Sequence, residues 1–263
     1  MKYFWSAGVL KNKRCACRKQ LRSCGFWGPI VDEFEREFSN ESRILTECHN
    51  KAMGRIHLVS NWFPTIRSRG RKKLLENYAQ ATRKFYAFIG SIVPGPLIDS
   101  SKDPFYGRFL ADEVGLNVFF VHISRPLDGV AKSRQNPKPI DPTGQGRLMP
   151  RQGIVQSTIK WGAANLLSLR VCANRQDAMH VRFEDLIATP NETVNLVATS
   201  ARLPVAHGHH EVPLHTPLGN SARKPTKPVV LPQAPTKEPA TTPIGVKIAK
   251  IVVRPLERRL GHR

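Results

Sequence analysis

An arginine and a serine eight residues apart could together bind a phosphate group. Arg125 and Ser133 lie in the segment SRPLDGVAKS, where a strand ending at Ser124 would be followed at once by a helix. A guanidinium at the strand end and a hydroxyl two turns into the helix can both donate hydrogen bonds to one phosphate. The spacing fits equally well an arginine that caps the helix and a serine that faces solvent, so both interpretations stay open.

Three of the five cysteines, Cys15, Cys17 and Cys24, lie close together near the start of the chain, with His49 further along. A zinc site needs four ligands at workable spacing, and the sequence contains no paired C-x-x-C. We therefore expect free or redox-active thiols and no bound metal. The odd number of cysteines favours a reducing compartment over a disulfide framework, and we expect a soluble, cytoplasmic protein.

Apolar residues recur at helical spacing in segments that would position these groups. Over 72–92 the spacing of three and four predicts a helix with one buried face, formed by Leu74, Tyr78, Ala81, Phe85, Phe88 and Ile92. Other helices are predicted over 31–50, 153–175 and 190–201, and a last strand over 179–183.

Two short apolar runs predict parallel strands. Residues 96–99 are expected to form a buried strand, and residues 117–123, rich in β-branched and aromatic side chains, a central one. Asp103 is placed to cap a helix over 104–114, and a further helix is predicted over 126–135. This order is typical of a right-handed parallel βαβ unit, whose ligands lie at the carboxyl ends of the strands.

Composition places a domain boundary at residue 223. Residues 1–223 form the predicted α/β domain, and residues 224–263 a proline-rich basic tail that ends in a short helix over 245–260. The prolines between 225 and 243 are typical of an extended, disordered connector. Residues 136–152, rich in Pro, Gly and charge, predict a mobile loop or lid.

Basic residues outnumber acidic ones, with 41 Lys plus Arg against 20 Asp plus Glu and a formal net charge of +21. Such a chain favours polyanions: nucleic acid, anionic membrane, acidic glycans or a phosphorylated cofactor. Much of the excess lies at the two ends.

No segment reaches the roughly 18 apolar residues of a membrane span. The 40% apolar fraction excludes wholesale disorder.

Five segments occur in a fixed order along the chain: LIDSSKDPF at 97–105, VHISRPLDGVAKS at 121–133, KW–N at 160–165, VRFEDLIATP at 181–190 and HTPLGNSAR at 215–223. Together they resemble the bacterial sulfotransferase family, which is related to the tyrosylprotein and cytosolic sulfotransferases. CACRKQLRSCGFW at 15–27 is similar to a Cys-rich insertion that many members carry. The resemblance covers roughly residues 13–223, and its specificity comes from the shared order of the motifs.

The resemblance implies an α/β protein with a parallel-sheet fold like that of the P-loop NTPases. It also implies 3′-phosphoadenylyl sulfate as co-substrate, whose sulfuryl group is transferred to a hydroxyl or amine of an acceptor. The class of acceptor is left open between carbohydrate, lipid, peptide and small molecule. No nucleic-acid partner and no metal are expected.

Carried over to this sequence, the resemblance implies that Arg125 and Ser133 bind the 3′-phosphate of the nucleotide. Lys102 would be catalytic, pointing at the bridging or terminal oxygens of the sulfuryl group, and Arg223 would reach the 3′-phosphate from the C-terminal side. The segment 182–185 matches the family's Arg-Tyr-Glu-Asp with Phe for Tyr. We interpret its carboxylates as structural groups that tie a strand to a helix.

One part of the family pattern has no counterpart here. Members open with a strand, a Gly-rich turn and a helix that cradle the 5′-phosphosulfate. We therefore expect an N-terminally truncated version of the fold, in which transfer activity does not follow from the resemblance alone. A non-catalytic protein that binds nucleotide or anionic glycan stays open. A basic nucleic-acid-binding protein ranks last, because the basic ends are proline-rich and not interleaved with aromatic residues.

Overall fold

Helices supply most of the regular structure of the protein, together with one small parallel sheet. The computed structural model describes residues 2–54, 57, 60, 62–135, 150–205, 215 and 244–262. The chain forms two compact units: the first comprises Met1–Val118 and Val212–Pro225, and the second comprises Phe119–Glu211 and Thr226–Arg263. From the sequence we expected one boundary, at residue 223, whereas the units divide after residue 118.

Three sequence predictions fall largely or wholly outside the described residues. The predicted lid over 136–152 is described only from residue 150 onward. The proline-rich connector over 225–243 and the predicted cofactor-binding residue Arg223 lie outside the described residues altogether.

The first unit is built from helices. A π-helical turn, Phe4–Val9, and a 3₁₀ turn, Leu21–Ser23, come first. The helices are α1 (Trp27–Glu37), α2 (Ser39–Glu47), α3 (His49–Met53), α4 (Arg69–Ile92) and α5 (Pro104–Asp112). The prediction of a single helix over 31–50 was wrong, because Phe38, with φ −124° and ψ 55°, leaves the helical region and separates α1 from α2.

Helix α4 confirms the amphipathic helix predicted over 72–92. Tyr78 and Phe85 are buried as predicted. The buried face is shifted relative to the prediction, because Leu75 and Ile89 are buried whereas Ile92 is 42% exposed.

Aromatic rings form the centre of the first unit's core. Phe4 stacks on Phe85 with 5.3 Å between ring centroids, and Trp5 lies 5.1 Å from Phe85 and 5.3 Å from Phe34. Trp27 lies 4.8 Å from Phe4. These separations are favourable for aromatic pairs. The apolar residues at the start of the chain are therefore core residues of the first unit.

Residues 96–99 do not form the predicted buried strand. The segment has no regular secondary structure, and Ile98 is 94% exposed. Pro96 has no N–H to donate to a strand ladder, and Gly95 before it has a φ of +106°, which turns the chain. The βαβ unit predicted around this strand is therefore wrong.

A two-stranded parallel sheet organises the second unit. Strand β1 (Phe120–Ser124) pairs with β2 (Ala178–Arg182). The helices of this unit are α6 (Leu127–Gln135), α7 (Ile154–Cys172), α8 (Phe183–Ala188), α9 (Pro190–Ser200) and α10 (Ile244–Arg259). Apart from α8, each of these elements confirms a predicted one, with ends that agree to within three residues.

Strand β1 differs from the central strand that its composition predicted. Its buried side chains are the polar ones, His122 and Ser124, whereas Val121 and Ile123 are 39% and 51% exposed. A strand covered on both faces would bury all of its apolar side chains. β1 is therefore covered on one face only, and the two fully buried side chains of that face are polar.

Helix α10 packs on α6 and α7 and helps to enclose the second unit's core. Trp161 of α7 donates a hydrogen bond from Nε1 to the carbonyl oxygen of Arg125, at 2.8 Å. The buried carboxylate of Glu257 accepts the backbone N–H of Leu127, at 3.0 Å. The buried apolar side chains of this core are Leu127, Trp161, Val253 and Leu260.

The observed fold class is mostly helical with a small parallel sheet. Among the described residues the sheet has two strands, fewer than the resemblance implied. In the described part of the chain, no helix is both long enough and apolar enough to cross a bilayer.

Replacing Glu257 by Ala should destabilise the second unit. The substitution leaves the N–H of Leu127 without its acceptor and removes a negative charge from the N-terminus of α6, at a cost of about 1–3 kcal/mol in the free energy of unfolding. Urea denaturation followed by circular dichroism measures the change. Arg259→Gln, at an exposed position on the same helix, is the matched control and should change stability by less than about 0.5 kcal/mol. Equal unfolding midpoints for the two variants would contradict this role of Glu257.

Candidate anion-binding site

The carboxyl ends of β1 and β2 form one edge of the sheet. The strands are parallel and Ser124 lies opposite Arg182, so Arg125 follows β1 at the edge where Arg182 ends β2. Ligands of parallel sheets gather at this edge. The sheet thus brings two guanidinium-bearing residues to the position that the sequence analysis assigned to phosphate binding.

Arg125 has an exposed side chain that rests on two neighbours. Its guanidinium lies over the ring of Phe183, with 5.0 Å from Cζ to the ring centroid. It also lies against Gly129 of α6, where a Cβ atom would be only 2.6 Å from Nε. The absence of a side chain at residue 129 therefore allows the guanidinium to lie on α6. Stacking on Phe183 orients it further.

Ser133 lies one helical turn beyond Gly129 and is half-buried. Residues four apart share a face of a helix. The face of α6 on which the Arg125 guanidinium lies is therefore the face that carries Ser133. The structure places these two predicted residues in one unit and on one side of one helix.

The N-terminus of α6 does not act as an open anion site at its first residue. The N–H of Leu127 donates to Glu257, and the N–H of Gly129 donates to the side chain of Asp128 at 2.7 Å. These carboxylates take up backbone donors that a ligand phosphate would otherwise use. Anion binding beside α6 depends instead on side chains, first of all Arg125.

Arg182 is held by its neighbours. Its Nε donates to Asp185 Oδ2 at 2.7 Å, a second ion-pair contact joins the same two side chains, and Nη1 donates to the carbonyl oxygen of Gly261 at 2.9 Å. The hydrogen bonds from Arg182 hold the pKa of Asp185 below its usual value. The interpretation of Asp185 as a residue that ties strand to helix is confirmed, since the pair joins β2 to α8.

Lys102 lies in the first unit, and Arg125 and Ser133 lie in the second. Its side chain is exposed, and its φ of +57° is uncommon for a residue with a side chain. Both neighbours are anchored: Ser101 Oγ accepts the backbone N–H of Lys2, and Asp103 caps α5 by accepting the N–H groups of Phe105 and Tyr106. The predicted cap of α5 is thereby confirmed.

A cationic cavity of about 780 Å³ lies beside the end of β2. Its cationic side chains are those of Arg182, Lys250, Arg254 and Arg258. Among the described residues that line it, the carboxylate is that of Glu257, which already accepts the N–H of Leu127. This cavity was not predicted, because the residues of α10 were assigned to a tail. The basic amphipathic pattern of residues 245–260 predicts the helix itself. The pattern does not specify which surface of the protein α10 covers.

Three histidines lie near the carboxyl edge of the sheet: His122 and His262 are buried, and His180 is exposed. Ser124 Oγ lies 2.8 Å from His180 Nε2 and 2.9 Å from His262 Nε2, and His122 Nε2 lies 3.1 Å from Asn165 Oδ1. A hydroxyl has one proton to donate, so one of the two imidazoles accepts from Ser124 and the other donates to it. Burial lowers the pKa of His122 and His262, and partial desolvation together with the neighbouring imidazoles lowers that of the exposed His180. The prediction of His122 as a core residue is confirmed for Nε2, while its buried Nδ1 has no partner among the described residues.

A second group of side chains, in the first unit, has the composition of a metal site. The Sγ atoms of Cys15, Cys17 and Cys24 and a ring nitrogen of His215 all lie within 4.8 Å of one another. His49, the histidine nearest in sequence to these cysteines, lies elsewhere: its Nδ1 is 2.8 Å from the hydroxyl of Tyr78. The histidine that completes the group could not be found from spacing, because 191 residues separate it from Cys24.

Comparisons with protein-family models, with curated proteins and with solved structures found no match to this chain.

The stability of the second unit should fall as the pH drops below about 6.5, the ordinary pKa of histidine. The pKa values of His122, His180 and His262 are lowered in the folded chain, by burial at His122 and His262 and by partial desolvation at the exposed His180. Once unfolded, each recovers its ordinary pKa, so the unfolded chain binds more protons in this range and is favoured by acid. The histidine contribution is complete above about pH 7 and is lost as the pH falls. At His262 the charges of Glu184 and Glu257 oppose the shift, and that of Arg182 adds to it.

Free energies of unfolding at about pH 7.5 and pH 5.5, bracketing the ordinary histidine pKa, test this expectation. In His180→Gln one of the lowered groups is gone, so the loss of stability between the two pH values should be smaller than in the unsubstituted chain. The histidines of the first unit contribute equally to both chains. An unchanged loss in His180→Gln would refute the assignment of acid sensitivity to this cluster.

Proposed function

We propose that the chain is a sulfotransferase-type protein that binds 3′-phosphoadenylyl sulfate through its 3′-phosphate, at Arg125 and Ser133, and passes the sulfuryl group to a hydroxyl or amine acceptor. The observation that carries the proposal is the placement of the Arg125 guanidinium at the carboxyl edge of the sheet, on the face of α6 that bears Ser133. The ordered motifs of residues 97–223 supply the identity of the nucleotide, by resemblance.

The charge of Arg125 is available to a ligand. Within the described part of the chain it forms no ion pair, in contrast to Arg182, which is paired with Asp185. Its guanidinium is also pre-oriented by Phe183 and Gly129. Pre-orientation lowers the entropy lost when the ligand binds, and a charged hydrogen bond to phosphate is roughly twice as strong as a neutral one.

Ser133 supports the proposal through its chemistry and its place on α6. A hydroxyl donates one hydrogen bond without adding charge, so it contributes direction to a phosphate contact in which the guanidinium contributes most of the energy. We expect Ser133 to matter less for affinity than Arg125. The two substitutions should therefore differ measurably in size.

Sulfuryl transfer proceeds in line in this proposal. The acceptor oxygen or nitrogen forms a bond to sulfur as the bond from sulfur to the bridging oxygen breaks. The acceptor gives up its proton to water, and adenosine 3′,5′-bisphosphate leaves. Negative charge grows on the departing phosphate oxygen, and an ammonium group placed there stabilises it. The resemblance assigns that role to Lys102.

A second candidate function is a non-catalytic protein that binds the same nucleotide. It is favoured by one observation: between residues 2 and 92, the described residues form helices, turns and one isolated bridge, Arg14 with Gln20, but no strand followed by a Gly-rich turn and a helix. Such a turn is what holds a 5′-phosphosulfate in the family. Transfer of labelled sulfuryl group from the nucleotide to a mixed acceptor panel separates the two candidates.

Titration calorimetry with adenosine 3′,5′-bisphosphate tests the proposed site. We expect binding by the unsubstituted chain, a loss of at least about tenfold in affinity in Arg125→Ala, and a loss of a few-fold in Ser133→Ala. Arg170→Ala, which removes an exposed arginine of α7 from the same unit, is the matched control and should bind as the unsubstituted chain does. A salt concentration of about 0.3 M suppresses non-specific attraction to this basic protein.

Adenosine 5′-phosphosulfate, which lacks the 3′-phosphate, provides the matched ligand. Its weaker binding should be the same in the unsubstituted chain and in Arg125→Ala, because the group that Arg125 contacts is missing. Equal losses in Arg125→Ala and Arg170→Ala, or an equal effect of Arg125→Ala on both ligands, would overturn the proposed site.

A further inference from the structure

Four side chains that commonly bind soft metal ions converge in the first unit. They are the thiols of Cys15, Cys17 and Cys24 and the imidazole of His215, with all four ligand atoms within 4.8 Å of one another. Cys15 and Cys24 are buried, and Cys17 and His215 are half-buried. The nucleotide site proposed above uses none of these residues.

Two of the separations between ligand atoms agree with those of a tetrahedral zinc site, and all of them are within 4.8 Å. With Zn–S of about 2.3 Å and Zn–N of about 2.0 Å, two sulfur ligands lie about 3.8 Å apart, and a sulfur and a nitrogen about 3.5 Å apart. Cys17 Sγ lies 3.5 Å from Cys24 Sγ, and Cys24 Sγ lies 3.3 Å from His215 Nδ1. The ligand atoms are thus already near the positions that one ion would require.

The backbone around the cysteines is folded to hold this arrangement. The N–H of Arg18 donates to the carbonyl oxygen of Cys15, and the N–H of Cys15 donates to that of Lys19, both at 2.9 Å. Arg18 has a φ of +69°, which reverses the chain after Cys17 and brings Lys19 back to Cys15. The backbone N–H of Cys17 also points at the sulfur of Cys15.

Cys24 is fixed by the start of α1. The backbone N–H groups of Phe26 and Trp27 point at its sulfur, and the N–H of Gly28 donates to its carbonyl oxygen at 2.7 Å. A side chain at residue 28 would collide with the backbone of Arg22, so the glycine allows this close packing. Hydrogen bonds of this kind orient metal ligands in proteins.

His215 is oriented by the same two aromatic residues. Its ring stacks on Phe26, with 5.2 Å between centroids and 17° between planes, and its carbonyl oxygen accepts the indole N–H of Trp27. These contacts hold the ring with Nδ1 on the side of Cys24. A histidine packed here only to fill space would not need a ring nitrogen directed at sulfur.

We propose that Cys15, Cys17, Cys24 and His215 bind one Zn²⁺ ion as a structural site. Three thiolates and an imidazole suit zinc, whereas magnesium and calcium require oxygen ligands. Four protein ligands leave no position open for water or substrate, so the site stabilises the fold and does not catalyse. This departs from our expectation from the sequence, which was of free thiols and no metal.

The ion would join two distant parts of the chain. Cys24 and His215 both belong to the first unit but are separated by 191 residues, so the metal closes a very long loop of the chain. Closing a long loop restricts the unfolded chain strongly, and binding that occurs only in the folded state adds directly to stability. Removing the metal should therefore lower the melting temperature of the first unit.

Metal analysis of the full chain, purified under reducing conditions, tests the site. We expect about one zinc per chain, a fall in melting temperature on chelation, and recovery when zinc is restored. Replacement by Co²⁺ should give the visible bands of a tetrahedral ion and a near-ultraviolet thiolate charge-transfer band. In His215→Ala the affinity for zinc should fall about 100-fold or more. Cys48→Ser, at a half-buried cysteine outside the group, is the matched control and should bind zinc normally.

The cobalt spectrum of the unsubstituted chain tests for a tetrahedral metal site even where a substituted chain fails to fold. Zinc far below one per chain together with no tetrahedral cobalt spectrum would overturn the proposal. A disulfide between Cys17 and Cys24 under the same reducing conditions would overturn it too. Retention of zinc in His215→Ala with unchanged affinity would remove His215 from the site.

Discussion

The parallel pairing of β1 with β2 fixes the position of Arg125, the residue on which the proposed nucleotide site depends most. Ser124 lies opposite Arg182, so Arg125 and the start of α8 emerge at one edge of the sheet. A sheet of two strands is marginal by itself and has to be held by its surroundings. Here the support consists of a few directed contacts: Trp161 to the carbonyl oxygen of Arg125, and the histidines that bracket Ser124.

The inner face of β1 buries polar side chains. The inner face of the strand bears His122 and Ser124 beside the half-buried Phe120, and Val121 and Ile123 are turned outward. Buried polar groups are costly unless they are hydrogen-bonded, so this part of the unit is specified by hydrogen-bond partners more than by apolar area. Glu257 acts in the same way at the start of α6. Several of these partners come from α10 and the residues after it, which explains why that helix belongs to the second unit.

Elements defined by local signals could be predicted from the sequence. Helix α4 follows from its apolar periodicity, and α5 from the capping aspartate and the proline that comes after it. Strand β2 was found within one residue of its bounds. In each case the apolar pattern and the hydrogen bonds that define the element lie within a few residues of one another. The local sequence is therefore enough to predict the element.

Features that depend on distant partners could not be predicted. His215 reaches the cysteines across 191 residues, and Glu257 reaches Leu127 across 130. The prediction of a strand over 96–99 was wrong for a related reason. A short apolar run forms a strand only where another strand pairs with it. Of the four residues predicted for the nucleotide, Arg125 and Ser133 share one unit, Lys102 lies in the other unit, and Arg223 lies outside the described residues.

A structure of the protein with adenosine 3′,5′-bisphosphate bound tests the central claim most directly. The account predicts the 3′-phosphate at the carboxyl edge of β1 and β2, within hydrogen-bond distance of the Arg125 guanidinium and the Ser133 hydroxyl. A nucleotide held instead in the cationic cavity beside α10, with its 3′-phosphate away from Arg125, would contradict it.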